Sequence, residues 1–234
     1  DAQYISFREK ASTDFIKEQL PAKTVNLCPD SAVIMSDVSP KESFIDGKNI
    51  RPEVLHILKN ESYIYFQLSK YKNSNKLDEA AEQLKKLATD HNLKIVLCPI
   101  GTAKGHEDHE PLQYIHSKLK NESIYFDEPT VEEIMALIAY SKLYIGNSLH
   151  GIITAMSYNL PYVGLNSTQQ KIVRYLEAWG IDELNKIQEV DNFLIKSLEI
   201  LNNDTLSDKI KTQTDLQKTQ YYQALEEIIK AIEL

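Results

Sequence analysis

The stretch Leu143-Tyr144-Ile145-Gly146-Asn147-Ser148-Leu149-His150-Gly151-Ile152-Ile153-Thr154-Ala155-Met156 decides how this chain is read. A short apolar run ends at a glycine, a polar turn follows, and apolar residues then recur at helical spacing. That pattern is a strand running into a helix. Asn147 or Ser148 can cap the helix, so His150 falls in its first turn, where backbone N–H groups have no partner inside the helix. The N–H groups of Ser148, Leu149, His150 and Gly151, with the helix dipole, make an anion site. Gly146 has no side chain, which lets a ligand approach the backbone. The same dipole disfavours a protonated imidazole by about 0.3–1 kcal/mol. A neutral imidazole beside an anion is what a general base at neutral pH requires. A capping or packing histidine is the alternative reading.

The next segment repeats the theme. Residues 161–165 read as a strand. Ser167 with Gln170 gives a capping-box pattern for a helix that buries Ile172, Val173 and Leu176 and stops at Gly180, a residue suited to a left-handed terminator. Lys171 sits in its first turn, where a cation at the positive end of the dipole costs roughly 0.3 kcal/mol or more unless a ligand offsets it. A solvated lysine is the alternative. The two turns follow successive strands, so His150 and Lys171 are expected to face one cleft.

Upstream, residues 62–68 and 94–100 are strand-like, with a helical pattern at Leu77, Ala80, Leu84 and Leu87 between them. A short strand is expected at 123–126. Thr130 and Glu133 then open a helix with a capping box, its inner face being Val131, Ile134 and Ile138. At the N-terminus, strand 4–8 leads to a helix capped by Ser12 that buries Phe15, Ile16 and Leu20, and a second strand follows at 23–27. Strands alternating with helices at this spacing imply an α/β fold, a Rossmann-like doubly wound parallel sheet with right-handed crossovers. Ligands of such sheets sit at the carboxyl ends of strands, which nominates the turns after residues 8, 68, 100, 126, 146 and 165. Arg8 ends a strand, and arginine binds carboxylate or phosphate through two parallel hydrogen bonds. Its alternative is an ion pair with Glu9 or Asp14.

The chain is divided into residues 1–40, a remnant of an N-terminal Rossmann-like domain; 41–60, a linker carrying Pro52 and Gly47; 61–203, a C-terminal Rossmann-like domain; and 204–234, a packing helix with Tyr222, Leu225, Ile229 and Ile232 on one stripe. It begins at Asp1 and goes straight into a strand-like segment, so it reads as a fragment.

Composition limits the function. The 26 Lys and Arg against 34 Asp and Glu leave a net charge of −8, which argues against nucleic-acid binding. No apolar run approaches the roughly 18 residues of a membrane span. Cys28 and Cys98 are too few for a disulfide framework and read as buried structural thiols. His106, Asp108, His109 and His116 contain a His-x-x-His spacing that could ligate zinc, but there is no cysteine nearby and no His-Glu-x-x-His helix. The segment reads as a solvated loop, and no metal or cofactor is expected. Walker, Gly-x-Gly-x-x-Gly and Gly-x-Ser-x-Gly motifs are absent.

The run from Tyr144 to Gly151 resembles the histidine motif of the polysaccharide pyruvyl transferase family, together with Leu160-Pro161. Tyr4-Ile5-Ser6-Phe7-Arg8-Glu9 with Ser12, then Pro29-Asp30, resembles the family's strand-Arg-acid passage. Lys171-Ile172 with Tyr175-Leu176 and Gly180 resembles its lysine-bearing helix. The resemblance implies the C-terminal half of a glycosyltransferase-B-type, two-domain architecture. It implies transfer of the pyruvyl group of phosphoenolpyruvate onto a sugar or lipid-linked saccharide as a ketal. Arg8 and His150 would be catalytic, with Lys171, Gly146, Asn147, Ser148, Leu149 and Gly151 binding substrate. Ser148 departs from the pattern, since many members carry arginine two residues before the histidine. Two other functions remain open: a nucleotide-sugar-dependent glycosyltransferase on the same scaffold, and a non-catalytic glycan- or anion-binding member. A cytoplasmic location is expected, at the inner membrane face where envelope sugars are assembled.

Overall fold

The computed structural model describes residues 2–46, 49–70, 75–101, 107–166 and 168–232. Two short strands, β1 (Ser6–Phe7) and β2 (Asn26–Leu27), pair in parallel on either side of helix α1 (Lys10–Gln19). A 3₁₀ turn (Ser31–Ile34) and three helices follow: α2 (Met35–Val38), α3 (Ser43–Asp46) and α4 (Pro52–Asn60). The main sheet is built from β3 (Tyr63–Gln67), β4 (Lys94–Leu97), β5 (Ser123–Tyr125), β6 (Leu143–Gly146) and β7 (Tyr162–Gly164). Between them run α5 (Asn75–His91), α6 (His109–Leu119), α7 (Val131–Ala139) and α8 (Leu149–Ser157), and after them α9 (Gln170–Trp179), α10 (Leu194–Leu201) and α11 (Leu206–Ile232).

All five strands of the main sheet are parallel, in the spatial order β5-β4-β3-β6-β7. The chain winds outward from β3 to β5, then returns to the other side of β3 for β6 and β7. With right-handed crossovers, that reversal puts α5 and α6 on one face and α7 and α8 on the other; α5 packs on α6, and α7 on α8. Because both faces are covered, the strands read as continuous apolar runs. Tyr63, Ile64, Tyr65 and Phe66 in β3 and Leu143, Tyr144 and Ile145 in β6 are fully buried. The Tyr65 and Tyr144 rings stack across the pair at 5.6 Å. The register sets Gln67 opposite Gly146, so the winding reverses where these two residues sit.

Several local expectations are corrected. Segment 41–60, read as a linker, holds α3 and α4. Its Phe44, Ile50, Val54, Ile57 and Leu58 are buried, and α4 packs on α7. Pro52 starts α4 at a position where a missing N–H costs nothing. The Thr130–Glu133 capping box is present, and of the expected inner face of α7 Ile138 is buried and Ile134 packs on the core, but Val131 does neither. Val131 is 68% exposed while Glu133 is fully buried. The reason is Arg51. Its Nε donates to Glu133 Oε1 at 2.8 Å, its Nη2 to Oε2 at 2.9 Å, and its backbone N–H to Oε1 at 3.0 Å.

Helix α1 starts at Lys10 and leaves Phe15 60% exposed, with Leu20 also exposed; Thr13 is its buried residue. Gly180 ends α9 in extended backbone (φ −77°, ψ −179°), not left-handed. A Cβ there would meet Asn185 Oδ1 at 1.8 Å, so space rather than backbone angle calls for glycine. The long helix α11 packs through Leu206, Ile210, Thr214, Gln217 and Ala224, and the Tyr222-Leu225-Ile229-Ile232 stripe is exposed. Thr214 Oγ1 donates to Met156 O at 2.9 Å and Gln217 Nε2 to Trp179 O at 2.9 Å, which ties α11 to the ends of α8 and α9. Among the described residues, no helix is long and apolar enough to cross a membrane.

Burial raises the Glu133 carboxyl, but the Arg51 guanidinium and the N–H groups of Thr130 and Arg51 outweigh it and hold it below its ordinary value. A depressed carboxylate stabilises the fold above its unfolded value, and that contribution is lost as pH falls through the folded value. Glu133→Gln should therefore lower unfolding free energy at pH 7 by about 2 kcal/mol, the worth of hydrogen bonds to a charged group, with the deficit shrinking below pH 4. Urea denaturation at both pH values checks this; an unchanged midpoint at pH 7 would show that the pair does not pin α4 to α7.

Candidate active site

A cleft of about 470 Å³ opens at the carboxyl ends of β3, β4 and β6, where the winding reverses. Its walls include Gln67, Ser69 and Lys70 after β3; Ile100, Gly101 and Asp108 after β4; Asn147, Ser148, Leu149 and His150 after β6; and Gln169 and Lys171 at the start of α9.

Ser148 caps α8, accepting from the Gly151 N–H at 3.3 Å. Leu149 and His150 are therefore the first two helical residues, and among the described residues no acceptor takes their N–H groups. His150 is exposed on the cleft wall. Lys171 is the second residue of α9, also in its first turn and also exposed. Gln169 flanks that start without a side-chain cap bond. The turn before it is built on Asn166, which adopts a positive φ of 68° and accepts from Thr168 N at 3.2 Å. The expected cap at Ser167 lies outside the described residues. Among the described residues, neither the His150 ring nor the Lys171 ammonium has a hydrogen-bond or ion-pair partner. Two helix N-termini, a free imidazole and a free ammonium thus share one cleft, an arrangement suited to an anion.

Arg8 is absent from the cleft wall. Its guanidinium is held by Asp30, neither Glu9 nor Asp14 being its partner, and its carbonyl accepts from Trp179 Nε1 at 2.8 Å. Glu9 instead lies 3.9 Å from Arg174. The buried Tyr175 hydroxyl, pushed up by burial, feels the charges of both Asp30 and Arg8. Tyr175 is four residues after Lys171 on α9, about one turn away.

Gly146 and Gly151 open no space to a ligand on their side-chain side. A Cβ on Gly146 would meet Tyr144 Oη at 2.5 Å and Gln67 O at 2.9 Å. On Gly151 it would meet Tyr144 Oη at 2.1 Å and Ile100 Cδ1 at 2.8 Å. Both glycines make room for the Tyr144 ring. The Leu149 side chain is buried in the core. The Asn147 side chain is also buried. Its Oδ1 accepts from Ser69 N at 2.9 Å and its Nδ2 donates to Ser69 Oγ at 2.8 Å. It fastens the turn after β6 to the turn after β3.

Sequence reading missed Gln67 and gave Asp108 only a loop. Gln67 Oε1 accepts from Asn147 N at 3.1 Å, and Gln67 Nε2 donates to Asp108 Oδ2 at 2.8 Å. Asp108 Oδ2 also accepts from the N–H groups of Ile100 (3.0 Å) and Gly101 (2.8 Å). The signal available for Gln67 is its place as the one amide closing an apolar strand. Asp108 carries no comparable local signal. Of the residues with metal-ligand spacing, His109 Nδ1 lies 3.0 Å from Tyr125 Oη and His116 Nδ1 2.8 Å from Ser123 Oγ. His106 lies outside the described residues.

A doubly wound parallel sheet with a cleft at its reversal point is an α/β fold of the glycosyltransferase-B type. Solved structures share that fold. The UDP-GlcNAc 2-epimerase of Neisseria meningitidis, bound to UDP-GlcNAc, superposes with a TM-score of 0.65 at 11% identity, over 99% of this chain and 60% of that one. The Methanocaldococcus jannaschii UDP-GlcNAc 2-epimerase, in complex with UDP-GlcNAc and UDP, gives 0.60 at 12% identity, over 87% of this chain and 55% of that one. Staphylococcus aureus TarM gives 0.56 at 14%, over 98% of this chain and 43% of that one. The chain thus spans 43 to 60% of the length of these structures. No curated protein matches it in sequence. The polysaccharide pyruvyl transferase family model matches residues 1–169, and the chain belongs to that family of transferases. The match includes Arg8 and His150 and ends two residues before Lys171.

Gly151→Ala tests the packing role. Forcing a methyl into the Tyr144 ring should cost about 1–3 kcal/mol, seen as a lowered urea midpoint. Unchanged stability would mean that Tyr144 can move aside and that the glycine serves another purpose.

Proposed function

We propose that this chain supplies part of the active site of a transferase that moves the pyruvyl group of phosphoenolpyruvate onto a sugar of a cell-surface polysaccharide or its precursor. The observation that carries the proposal is the shared cleft of His150 and Lys171, and the family membership supports it. Phosphoenolpyruvate bears a phosphate and a carboxylate. The N–H groups of Leu149 and His150 and the Lys171 ammonium hold the phosphate in this reading. Arg8, the other cation that the family resemblance nominates, is ion-paired with Asp30 and is absent from this cleft wall.

In the reaction, a sugar hydroxyl adds to the substituted vinyl carbon of phosphoenolpyruvate. A second hydroxyl of the same sugar closes the ketal as the carbon–oxygen bond to phosphate breaks. Of the two hydroxyl protons, one ends on the methylene carbon, which becomes a methyl, and the other on the released phosphate. His150 in its neutral form takes the proton from the attacking hydroxyl. Fixed N–H dipoles and Lys171 stabilise the charge that grows on the departing phosphate.

The rival reading is a nucleotide-sugar glycosyltransferase. It is favoured by the same reversal-point cleft, where doubly wound sheets hold nucleotides, and by neighbours crystallised with UDP. Stabilisation of the protein by uridine diphosphate but not by phosphoenolpyruvate would select it. A non-catalytic member would bind phosphoenolpyruvate and release no phosphate. An inner-membrane site of action remains part of the proposal, tied to lipid-linked acceptors.

Phosphate release by the full-length protein, with phosphoenolpyruvate and a saccharide acceptor, is the direct assay. His150→Ala should lower kcat by roughly 10²–10⁴. Lys171→Ala should raise KM for phosphoenolpyruvate roughly tenfold to a hundredfold, as loss of a charge-assisted contact does. Undiminished turnover in His150→Ala would remove the base role.

A further inference from the structure

We infer that the Asp108 carboxylate anchors a hydroxyl group of the acceptor sugar through its oxygen Oδ1. This rests on the reading of the chain as a sugar-modifying transferase and adds to it a residue that faces the acceptor rather than the anion.

Asp108 is 1% exposed and lies in the cleft wall. Its two oxygens are used very unequally. Oδ2 accepts from Ile100 N, Gly101 N and Gln67 Nε2, at 3.0, 2.8 and 2.8 Å. Oδ1 is buried and, among the described residues, has no hydrogen-bond partner. A buried acceptor left unsatisfied is costly, more so when charged, and native proteins keep few such groups.

Among the described residues, two nearby donors are committed elsewhere, while the buried Tyr65 hydroxyl, which feels the charge of Asp108, also lacks a partner. Lys70 pairs with Glu107 at 3.2 Å and Glu110 at 3.1 Å. The Tyr144 hydroxyl, kept protonated by burial and by the charge of Asp108, donates to Gln67 Oε1 at 3.4 Å. The fold itself needs only Oδ2, which already joins the turns after β3 and β4.

Charge sign then divides the cleft. Phosphate and carboxylate groups are drawn to Lys171 and the start of α8 and repelled by Asp108. The group that can meet Oδ1 is a hydrogen-bond donor without negative charge. Hydroxyls supply such donors, and a sugar in the cleft presents several. Each charge-assisted bond of this kind is stronger than one between neutral groups.

Asp108→Asn isolates the role, because the amide oxygen can keep the three bonds of Oδ2 while Oδ1 becomes an N–H₂ donor. The probes are the methyl glycosides of glucose, galactose and mannose, titrated by saturation-transfer NMR, with phosphoenolpyruvate tested separately by thermal shift. The unaltered chain should bind at least one glycoside. Asp108→Asn should bind it at least tenfold more weakly while keeping the phosphoenolpyruvate shift. In the unaltered chain, the amides of Ile100 and Gly101 should move on glycoside titration, a readout that survives if the variant does not fold. Equal glycoside affinity in the variant, no glycoside binding by the unaltered chain, or joint loss of both ligands would overturn the inference. A chain that binds the glycoside through Asp108 but ignores phosphoenolpyruvate would overturn the donor reading alone.

Discussion

The Gln67 side chain is the hinge-pin of this molecule. It ends β3 beside Gly146, at the point where the winding of the sheet reverses. Its amide reaches Asp108 with its nitrogen and the Asn147 N–H with its oxygen. Through Asp108 it holds the turn after β4, and through Asn147 it holds the turn after β6. A doubly wound sheet leaves a crevice at this place by topology alone. What the amide adds is a fixed spacing between three turns that have no strand hydrogen bonds to align them. Buried polar contacts of this kind are strong only when nearly all their members are satisfied; among the described residues, Asp108 Oδ1 is the member of this network left without a partner.

The consequence for chemistry is a cleft with separated signs. One side gathers two helix starts, an imidazole and an ammonium; the other presents a carboxylate. In the proposed reaction, an anionic donor and a hydroxyl-rich acceptor would each find their own half. Tyr144 connects the two levels. Its ring stacks on Tyr65 in the sheet and fills the space left by Gly146 and Gly151. The start of α8 therefore rests directly on the sheet core, which keeps the first-turn N–H groups in place without help from a ligand.

Much of this was legible in the sequence, for reasons that can be named. Parallel strands covered on both faces are continuous apolar runs, so residues 62–68, 94–100 and 143–146 announced themselves. The Thr130–Glu133 box is a local motif and appeared as read. The first-turn positions of His150 and Lys171 follow from strand-to-helix turns, and their common cleft follows from parallel topology. What stayed hidden depends on contacts far apart in sequence. Arg51 lies 82 residues from Glu133, and that ion pair ties segment 41–60 to α7 and lets a carboxylate be buried there while Val131 is exposed. Gln67 and Asp108 are 41 residues apart, and nothing local in the loop before α6 marks the aspartate. Arg8 found Asp30, 22 residues on, where sequence suggested its immediate neighbours. At Gly146 and Gly151 the missing side chains make room for the buried Tyr144 ring, a contact that the sequence does not announce.

The central claim is that the free N–H groups at the start of α8 receive the anionic part of the substrate, with Lys171 opposite. Backbone amide NMR during titration with phosphoenolpyruvate examines it most directly. The expected result is a saturable shift of the Leu149 and His150 amides that is lost in Lys171→Ala. Saturable binding that leaves those two amides unmoved would contradict the account.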